Sequence, residues 1–399
     1  MKVVALHTDF RIYWPARLKA FSLFLSDRNG SLDIIEIAGK GSPYSFAGKN
    51  SDNSLNWNIL FPDARPEDLN GKIIKPKLFK LLDKIHPDVI LAGAIAFPSG
   101  ALAVQWALAN NKRVVIFDDA KIEAVKRNGI VNFIKKSVYS GVSSMFYPAE
   151  QWKQTGRFWG FRDEQMFYGV DVVDNDFWTQ TIKSNPLDFN YFIAVGRQIP
   201  KKNFLPVVQA FHKYLKGINT SEELEFKLIL VGEGEVHDAI GQYVKMNNLE
   251  KKVILLPFMP QEDLRGLFHH ADLLCCNSNN TETWGLVINE AMACGCAIIA
   301  SNECGAAEVL VKNGVNGFKV SCNDIDGITE AMINYHNLSS KQKEDMHKNS
   351  QEIISHWGLS KFCQGAFDAC RYAINNPKPK ISIISKLIIN NWYGRYNPV

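Results

Sequence analysis

The chain has 399 residues, 46% hydrophobic and 22% charged, with a formal net charge of +4. That balance excludes a disordered or fibrous chain, and the length exceeds one ordinary core, so two domains of roughly 150–200 residues are expected. The charge excess lies in residues 1–180, with 23 Lys and Arg against 19 Asp and Glu, whereas residues 181–399 balance at 22 each; it is too small to argue for nucleic acid.

The opening, MKVVALHTDFR, has too short an apolar run for a signal peptide. No stretch reaches about 18 apolar residues, so no membrane span is expected. Short β-branched runs then alternate with helical stretches. In the first half KVVALH, LDIIEIA, PDVILAGA, RVVIFDD and SSMFYPA read as strands. Residues 169–190, GVDVVDNDFWTQTIKSNPLDFN, are rich in Asp and Asn, contain Pro186 and read as a linker. Beyond it YFIAVGR, FKLILVGEG, VILLPF, DLLCCNS and CAIIASN repeat the strand theme. Continuous rather than alternating hydrophobicity marks strands buried on both faces, as in parallel sheets covered by helices. The expected architecture is α/β, with two Rossmann-like domains at 1–180 and 187–375 facing each other across a cleft. A polar helical segment at 339–358 and the stretch NNPKPK set off a tail, 376–399, placed to cross back to the first domain.

All eight cysteines lie in the second half, none in a C-x-x-C pair and none in a Cys/His cluster of zinc spacing. Most sit in apolar runs such as ADLLCC and MACGCAII, where free Cys behaves as a small buried hydrophobe. A reduced, cytoplasmic protein is the better expectation, against a disulfide framework.

The chemistry concentrates after the predicted strand ends, where parallel sheets bind ligands. GLVINEAMACG reads as a helix beginning near Gly285 and ended by Gly295 in the left-handed conformation. Its start suits an anion, because backbone N–H groups beside Gly285 can approach one closely. Glu282 precedes the helix and Glu290 lies about one turn inside. Carboxylates repel phosphate, so hydroxyls are their natural targets; taken alone, Glu290 could equally line a packing pocket and Glu282 a solvated loop. Gly196 and Arg197 follow YFIAV, and Lys202 comes five residues after the arginine. A planar fork and a point charge suit a diphosphate without a metal, although either cation alone is more often a solvated surface residue. Gly232 and Gly234 follow the next strand, a weak signal that fits any tight turn. Phe258 stands among main-chain groups able to read a base.

Taken in order, VGR with its following lysine, VGEGE, PFMPQEDLRGLFHHADLLCCNS and ETWGLVINEAMACGCAIIASNECGAAEVLVKNGVNGFKV resemble the second domain of the retaining glycosyltransferases of family 4, which have GT-B architecture. The resemblance spans about residues 190–360. It implies that Arg197 and Lys202 bind the donor diphosphate, that Glu282 contacts the donor sugar, that Glu290 holds the ribose hydroxyls, and that main-chain groups at Trp284, Gly285, Leu286 and Val287, with Thr283 beside them, contact sugar and phosphate. It also implies no cofactor and no metal, the nucleotide-diphosphate sugar being a co-substrate.

The first domain departs from that family. LHTDFRIYWPARL lacks a glycine-rich loop, and RVVIFDDAKIE carries Asp118 and Asp119 where a histidine is common. Either Asp orients a hydroxyl or caps the following helix. His7, Asp9, Arg11 and Arg17, with Tyr13 and Trp14, are candidates to grip an acceptor, His7 being equally a satisfied interior residue. Residues 121–140 combine five Lys and Arg with one Glu and spaced apolar residues, and the tail has no acid. Both fit an anionic membrane surface, or an amphipathic helix packed on the core. The expected function is sugar transfer from a nucleotide-diphosphate sugar to a glycan or lipid-linked acceptor, with retention, in lipopolysaccharide or capsule synthesis at the inner face of the plasma membrane. Its rivals are a sugar-nucleotide epimerase of the same architecture and a non-catalytic binding subunit.

Overall fold

The computed structural model describes all residues except 41–53, 124–126, 181, 183–186, 219–225, 280 and 397–399. The chain divides into two compact units, residues 1–172 with 359–399, and residues 173–358.

The first unit is built on seven strands: β1 (Lys2–His7), β2 (Ser31–Ala38), β3 (Asn56–Phe61), β4 (Val89–Ala92), β5 (Arg113–Phe117), β6 (Ser144–Tyr147) and β7 (Met166–Tyr168). All neighbouring pairs are parallel, in the order β3-β2-β1-β4-β5-β6-β7. Between them run α1 (Trp14–Ser26), α2 (Gly71–Ile85), α3 (Pro98–Ala109), α4 (Gly129–Tyr139) and α5 (Lys153–Trp159). β1, β4 and β5 are buried almost end to end, as their unbroken apolar runs require. Neighbours β2 and β4 lie on opposite sides of β1, so the connections run in opposite directions from it. The carboxyl ends of β1 and β4 therefore frame the sheet's topological switch point.

The second unit repeats this plan. After α6 (Asn175–Thr179) come β8 (Tyr191–Val195), α7 (Phe204–Gly217), β9 (Lys227–Val231), α8 (His237–Met246), β10 (Val253–Leu256), α9 (Gln261–His270) and β11 (Leu273–Cys276). There follow α10 (Val287–Ala293), β12 (Ala297–Ser301), α11 (Gly305–Leu310), β13 (Gly317–Val320), α12 (Ile325–His336) and α13 (Ser340–Ser355). The sheet is parallel in the order β10-β9-β8-β11-β12-β13, with its switch point between β8 and β11. Its core gathers Phe192, Phe211, Tyr214 and Phe226 around β8, with Phe192 and Phe226 stacked at 4.6 Å.

Three boundaries differ from the sequence reading. The expected linker begins inside the first unit, where Val170 and Val172 are buried, and continues into α6, whose Trp178 is buried against Phe268. Its residues 181 and 183–186, including Pro186, lie outside the described residues. The helix expected near Gly285 starts at Val287 with Leu286 as its cap, and Gly295 follows its end at φ +94°, the left-handed conformation foreseen.

The break expected at residue 375 falls at 358/359. Helix α14 (Leu359–Asn375) belongs to the first unit: Phe362 packs on Trp14 and Phe146, and the Ser144 hydroxyl donates to the Ala369 carbonyl at 2.9 Å. Helix α15 (Ile383–Asn391) lies there too, and beyond it the Trp392 indole donates to the Ile95 carbonyl at 2.7 Å.

Candidate active site

At the second unit's switch point the ends of β8 and β11 diverge, and the loops that follow them meet again through charge. The Asn279 N–H donates to the Lys201 carbonyl at 3.0 Å, and the Glu282 N–H donates to the Asn279 carbonyl at 2.9 Å. This backbone link fixes both loops before any side chain is considered. On it the Lys202 ammonium hydrogen-bonds Glu282 Oε2, while Lys201 Nζ lies 3.6 Å from Oε1. The Lys202 and Glu282 side chains are only 18% and 10% exposed, so the pair is largely desolvated.

Burial alone would raise the Glu282 carboxyl, but attraction to Lys202 and Lys201, with hydrogen bonds from Lys202 and Ser278, holds it below its ordinary value. Burial likewise pulls the Lys202 ammonium down, and the Glu282 charge more than reverses that, leaving it raised. Both groups are therefore ionised at neutral pH.

The glycines permit the backbone contacts beneath this pair. A Cβ on Gly232 would sit 2.1 Å from the Gly196 carbonyl oxygen, so the β8 and β9 loops approach only because that position is bare. Gln198 bolts them together: its Nε2 donates to the Gly232 carbonyl at 2.8 Å, and its Oε1 meets His237 Nδ1 at 2.7 Å. Gly234 passes close to the Gln198 carbonyl in the same contact. Arg197, half-buried, leaves this loop between Gly196 and Gln198. Gly285 adopts φ +95°, and a Cβ there would lie 2.7 Å from Cys304 Sγ. The Cys304 thiol donates to the Trp284 carbonyl at 2.8 Å, which anchors the segment leading into α10.

Trp284 was expected to contribute through its main chain. Its indole is buried, donates to Asn289 Oδ1 at 2.9 Å and stacks on Trp357 at 5.7 Å. Thr283, Leu286 and Val287 lie along the same entry to α10, partly exposed. Glu290 is buried within α10, where Gln261 Nε2 donates to its Oε1 at 3.3 Å. Gln261 opens α9, directly after the loop carrying the exposed Phe258.

The structure thus brings Lys202 and Glu282 together, and ties Glu290 to the end of the Phe258 loop. Lys201, Gln198 and Gln261 were missed by sequence reasoning. Lys201 stood beside a named residue, but nothing in the sequence distinguished it from a solvated lysine.

In the first unit the picture differs. His7 ends β1 and is ringed by Phe10, Trp14, Phe97 and Phe117 at centroid distances of 5.2–6.4 Å. Its Nδ1 lies 2.4 Å from where a Gly93 Cβ would be, so the bare β4 loop accommodates the ring. Burial lowers its pKa to about 4, leaving a neutral imidazole at pH 7.

Two expected acceptor-gripping cations are internal instead. Arg17 is buried, with Nε and Nη2 donating to the Val172 carbonyl at 3.0 and 2.6 Å. Arg11 Nη2 donates to the Gly39 carbonyl at 3.1 Å, and its Nε lies 3.3 Å from Asp9. Both hold backbone in place, because a nearby carbonyl satisfies a buried guanidinium that water cannot reach.

Asp118 Oδ1 accepts the Ala120 N–H at 3.0 Å and Oδ2 the Tyr139 hydroxyl at 3.2 Å. Burial, with the Asp119 charge adding to it, raises its pKa to about 6. Asp118 thus caps a turn rather than a helix, since α4 begins only at Gly129. Asp119 is partly exposed beside it, its carbonyl receiving the Trp152 indole at 2.8 Å.

Residues 176–353 match the family model of the glycosyl transferases group 1. The chain carries a group 1 glycosyl transferase domain. It is 25% identical over 244 residues to the N-acetyl-alpha-D-glucosaminyl L-malate synthase of Bacillus anthracis, covering 58% of this chain and 59% of that protein. It is 34% identical over 164 residues to an Escherichia coli UDP-Gal:alpha-D-GlcNAc-diphosphoundecaprenol alpha-1,3-galactosyltransferase, covering 41% and 40%. The chain spans about half the length of the curated relatives it matches. The Anabaena HepE structure in complex with UDP superposes with a TM-score of 0.70 at 17% identity, over 92% of this chain and 98% of that one. That likeness shows the two-domain α/β fold of GT-B glycosyltransferases. Among the described residues, no helix is long and apolar enough to cross a membrane.

Proposed function

We propose that the chain transfers a sugar, with retention, from a nucleotide-diphosphate sugar to a hydroxyl of a glycan or lipid-linked acceptor, at the inner face of the plasma membrane during cell-surface polysaccharide synthesis. The observation that carries this reading is the desolvated Lys202–Glu282 pair at the switch point of the group 1 domain, where open α/β sheets bind ligands. HepE, solved with UDP in the same fold, and the galactosyltransferase, whose name specifies a UDP-sugar and a diphospholipid acceptor, support the donor and acceptor classes.

In this reading Lys202 and Arg197 meet the donor diphosphate. Negative charge grows on the leaving phosphate as the glycosidic bond breaks, so cations fixed in a dry loop stabilise the transition state more than the ground state. Glu282 keeps Lys202 charged and oriented while the site is empty. When the diphosphate shares that ammonium, the carboxylate turns to a sugar hydroxyl, which it can accept without opposing the phosphate. Glu290 accepts the ribose hydroxyls, and the Phe258 loop borders the base. Arg197 and Lys202 supply the cationic charge, so this reading requires no divalent ion and no resident cofactor. The acceptor side falls to the first unit, where neutral His7 and the Asp118–Asp119 turn are the polar groups at strand ends. No side chain is assigned as a covalent nucleophile; the acceptor hydroxyl attacks from the face the diphosphate leaves.

The test is a thermal-shift panel of UDP-, GDP- and ADP-sugars, followed by product analysis with the nucleotide that stabilises the fold. One nucleotide should raise Tm, and Lys202→Ala should abolish that shift. A Tm unmoved by any nucleotide sugar would remove the reading.

A further inference from the structure

The large apolar side chains left at the surface are concentrated in one place. Of the eleven exposed among the described residues, Ile130, Val131 and Phe133 lie on α4, and Ile383, Ile384 and Leu387 lie on α15. These two helices pack against each other. Ile389 turns inward, its Cδ1 3.2 Å from where a Gly141 Cβ would be, just past the end of α4. Ser385 and Ile389 form the buried face of α15, and Ser137, Val138 and Tyr139 that of α4. The outward apolar groups are therefore a separate set, not core residues caught at an edge: Ile130 is 72% and Ile383 78% exposed. Scattered surface apolar residues need no explanation, but a group on two adjoining helices marks an interaction surface.

The charge around this group identifies the partner. Residues 127–140 and 376–396 contain Arg127, Lys135, Lys136, Lys378, Lys380, Lys386 and Arg395, and no Asp or Glu. A second copy of the same face would bring like charges together. We infer that α4 and α15 form a docking surface for an anionic lipid bilayer, the apolar side chains entering the interface and the exposed Lys136, Lys380 and Lys386 meeting headgroup phosphates. Helices of eleven and nine residues are too short to span a bilayer but long enough to lie in its interface. The inference gives a surface to the membrane location proposed above and rests on that reading for its setting alone; lipid binding needs no sugar transfer.

The test is flotation of the full chain with vesicles of phosphatidylcholine alone, or of phosphatidylcholine mixed with phosphatidylglycerol. The wild type should float with the anionic vesicles, less with neutral ones, and less as salt rises. Ile130→Asp combined with Ile383→Asp should weaken partition at least about tenfold, since each isoleucine contributes roughly 2 kcal/mol of burial. Lys136→Glu combined with Lys386→Glu should remove the preference for anionic vesicles. Both pairs should keep the wild-type Tm and the wild-type nucleotide-induced shift, which separates failure of the surface from failure of the donor site. Three results overturn the inference: no flotation of the wild type with anionic vesicles, wild-type partition in the isoleucine variant, or a wild-type dimer in gel filtration that this variant abolishes without any lipid binding.

Discussion

Replacing Lys202 by alanine tests whether the buried ion pair is a stabilising element of the empty protein. The substitution leaves the Glu282 carboxylate desolvated, with Lys201 at 3.6 Å as its remaining cation. Removing one partner of a buried pair typically costs 3–5 kcal/mol, because the other charge is left uncompensated. Glu282 has an escape, however: it can take up a proton. At pH 7 that costs about 3.7 kcal/mol from an ordinary Glu value near 4.3, so the charge penalty saturates there. With Lys201 contributing, a loss of about 2–3 kcal/mol is expected at pH 7. The ceiling falls with pH to about 1 kcal/mol at pH 5. The direction agrees with linkage. A carboxyl held below its ordinary value adds stability above its unfolded pKa and loses it as pH falls through the folded one. Urea unfolding at both pH values, for Lys202→Ala, Glu282→Gln and the double variant, measures this. The double variant should regain at least half of what Lys202→Ala loses at pH 7. An equal loss at both pH values, or a double variant no more stable than Lys202→Ala, would refute the account and leave lost packing of the lysine stem as the cause.

Other expectations follow from the same contacts. Glu290→Gln should weaken binding of the free nucleotide diphosphate by roughly tenfold to a hundredfold, the worth of a hydrogen bond to a charged acceptor, with titration calorimetry as the check; unchanged affinity would cancel the ribose assignment. Glu282→Gln should lower kcat more than it raises the donor KM, measured in steady state once the donor is known. Gly285→Ala should cost about 1–3 kcal/mol, since a Cβ at φ +95° is strained and would meet Cys304 Sγ at 2.7 Å; an unaltered Tm would contradict this. The Asp118 carboxyl, raised to about 6, loses folding stability as pH climbs from about 4 to 6 and no more above that. Asp118→Asn should therefore be more stable than wild type by up to about 3 kcal/mol above pH 6, provided its amide oxygen keeps the Ala120 N–H and its amide nitrogen donates to the Tyr139 hydroxyl.

What the sequence disclosed, and what it withheld, follows from the range over which each signal acts. Strands buried on both faces announced themselves: KVVALH is β1 to the residue, and YFIAV is β8. The strands that went unread are short or at an edge. β3, NWNILF, alternates polar and apolar residues, β7 has three residues and β13 four. The helix at Leu359–Asn375 went unread, although its inward residues Phe362, Cys363, Ala366, Ala369, Cys370 and Ala373 follow helical spacing. Amphipathic spacing says that a helix has a buried side and not which sheet receives it, so its place in the first unit was not legible. Arg17 and Arg11 failed for a related reason. An arginine near a strand end looks alike whether it waits for a ligand or satisfies a backbone carbonyl, and only the fold brings Val172 to Arg17.

Six strands of the first sheet follow the same order as the six of the second, yet the two switch points have opposite electrostatic character, and that difference supports the division of roles proposed above. At the end of β8 the chain places Lys201 and Lys202 against Glu282, so ionised groups persist in a desolvated loop. At the end of β1 it places His7 among four aromatic rings, where burial removes the imidazole's charge at neutral pH. A diphosphate needs fixed cations to replace its hydration, which the first of these environments offers, whereas Arg11 and Arg17 beyond β1 are engaged by the Gly39 and Val172 carbonyls. A sugar ring or an uncharged hydroxyl needs apolar faces and neutral hydrogen-bonding groups, which the second offers. The absence of a glycine-rich loop after β1 fits this division: that loop is what lets backbone approach phosphate closely, and its place is taken by Asp9, Phe10 and Trp14, two bulky rings and a carboxylate that would repel an anion. His7→Ala should accordingly leave nucleotide binding untouched while lowering transfer relative to slow donor hydrolysis. If the variant instead lost nucleotide affinity, with its Tm in the absence of nucleotide unchanged, the division of roles between the two switch points would fail.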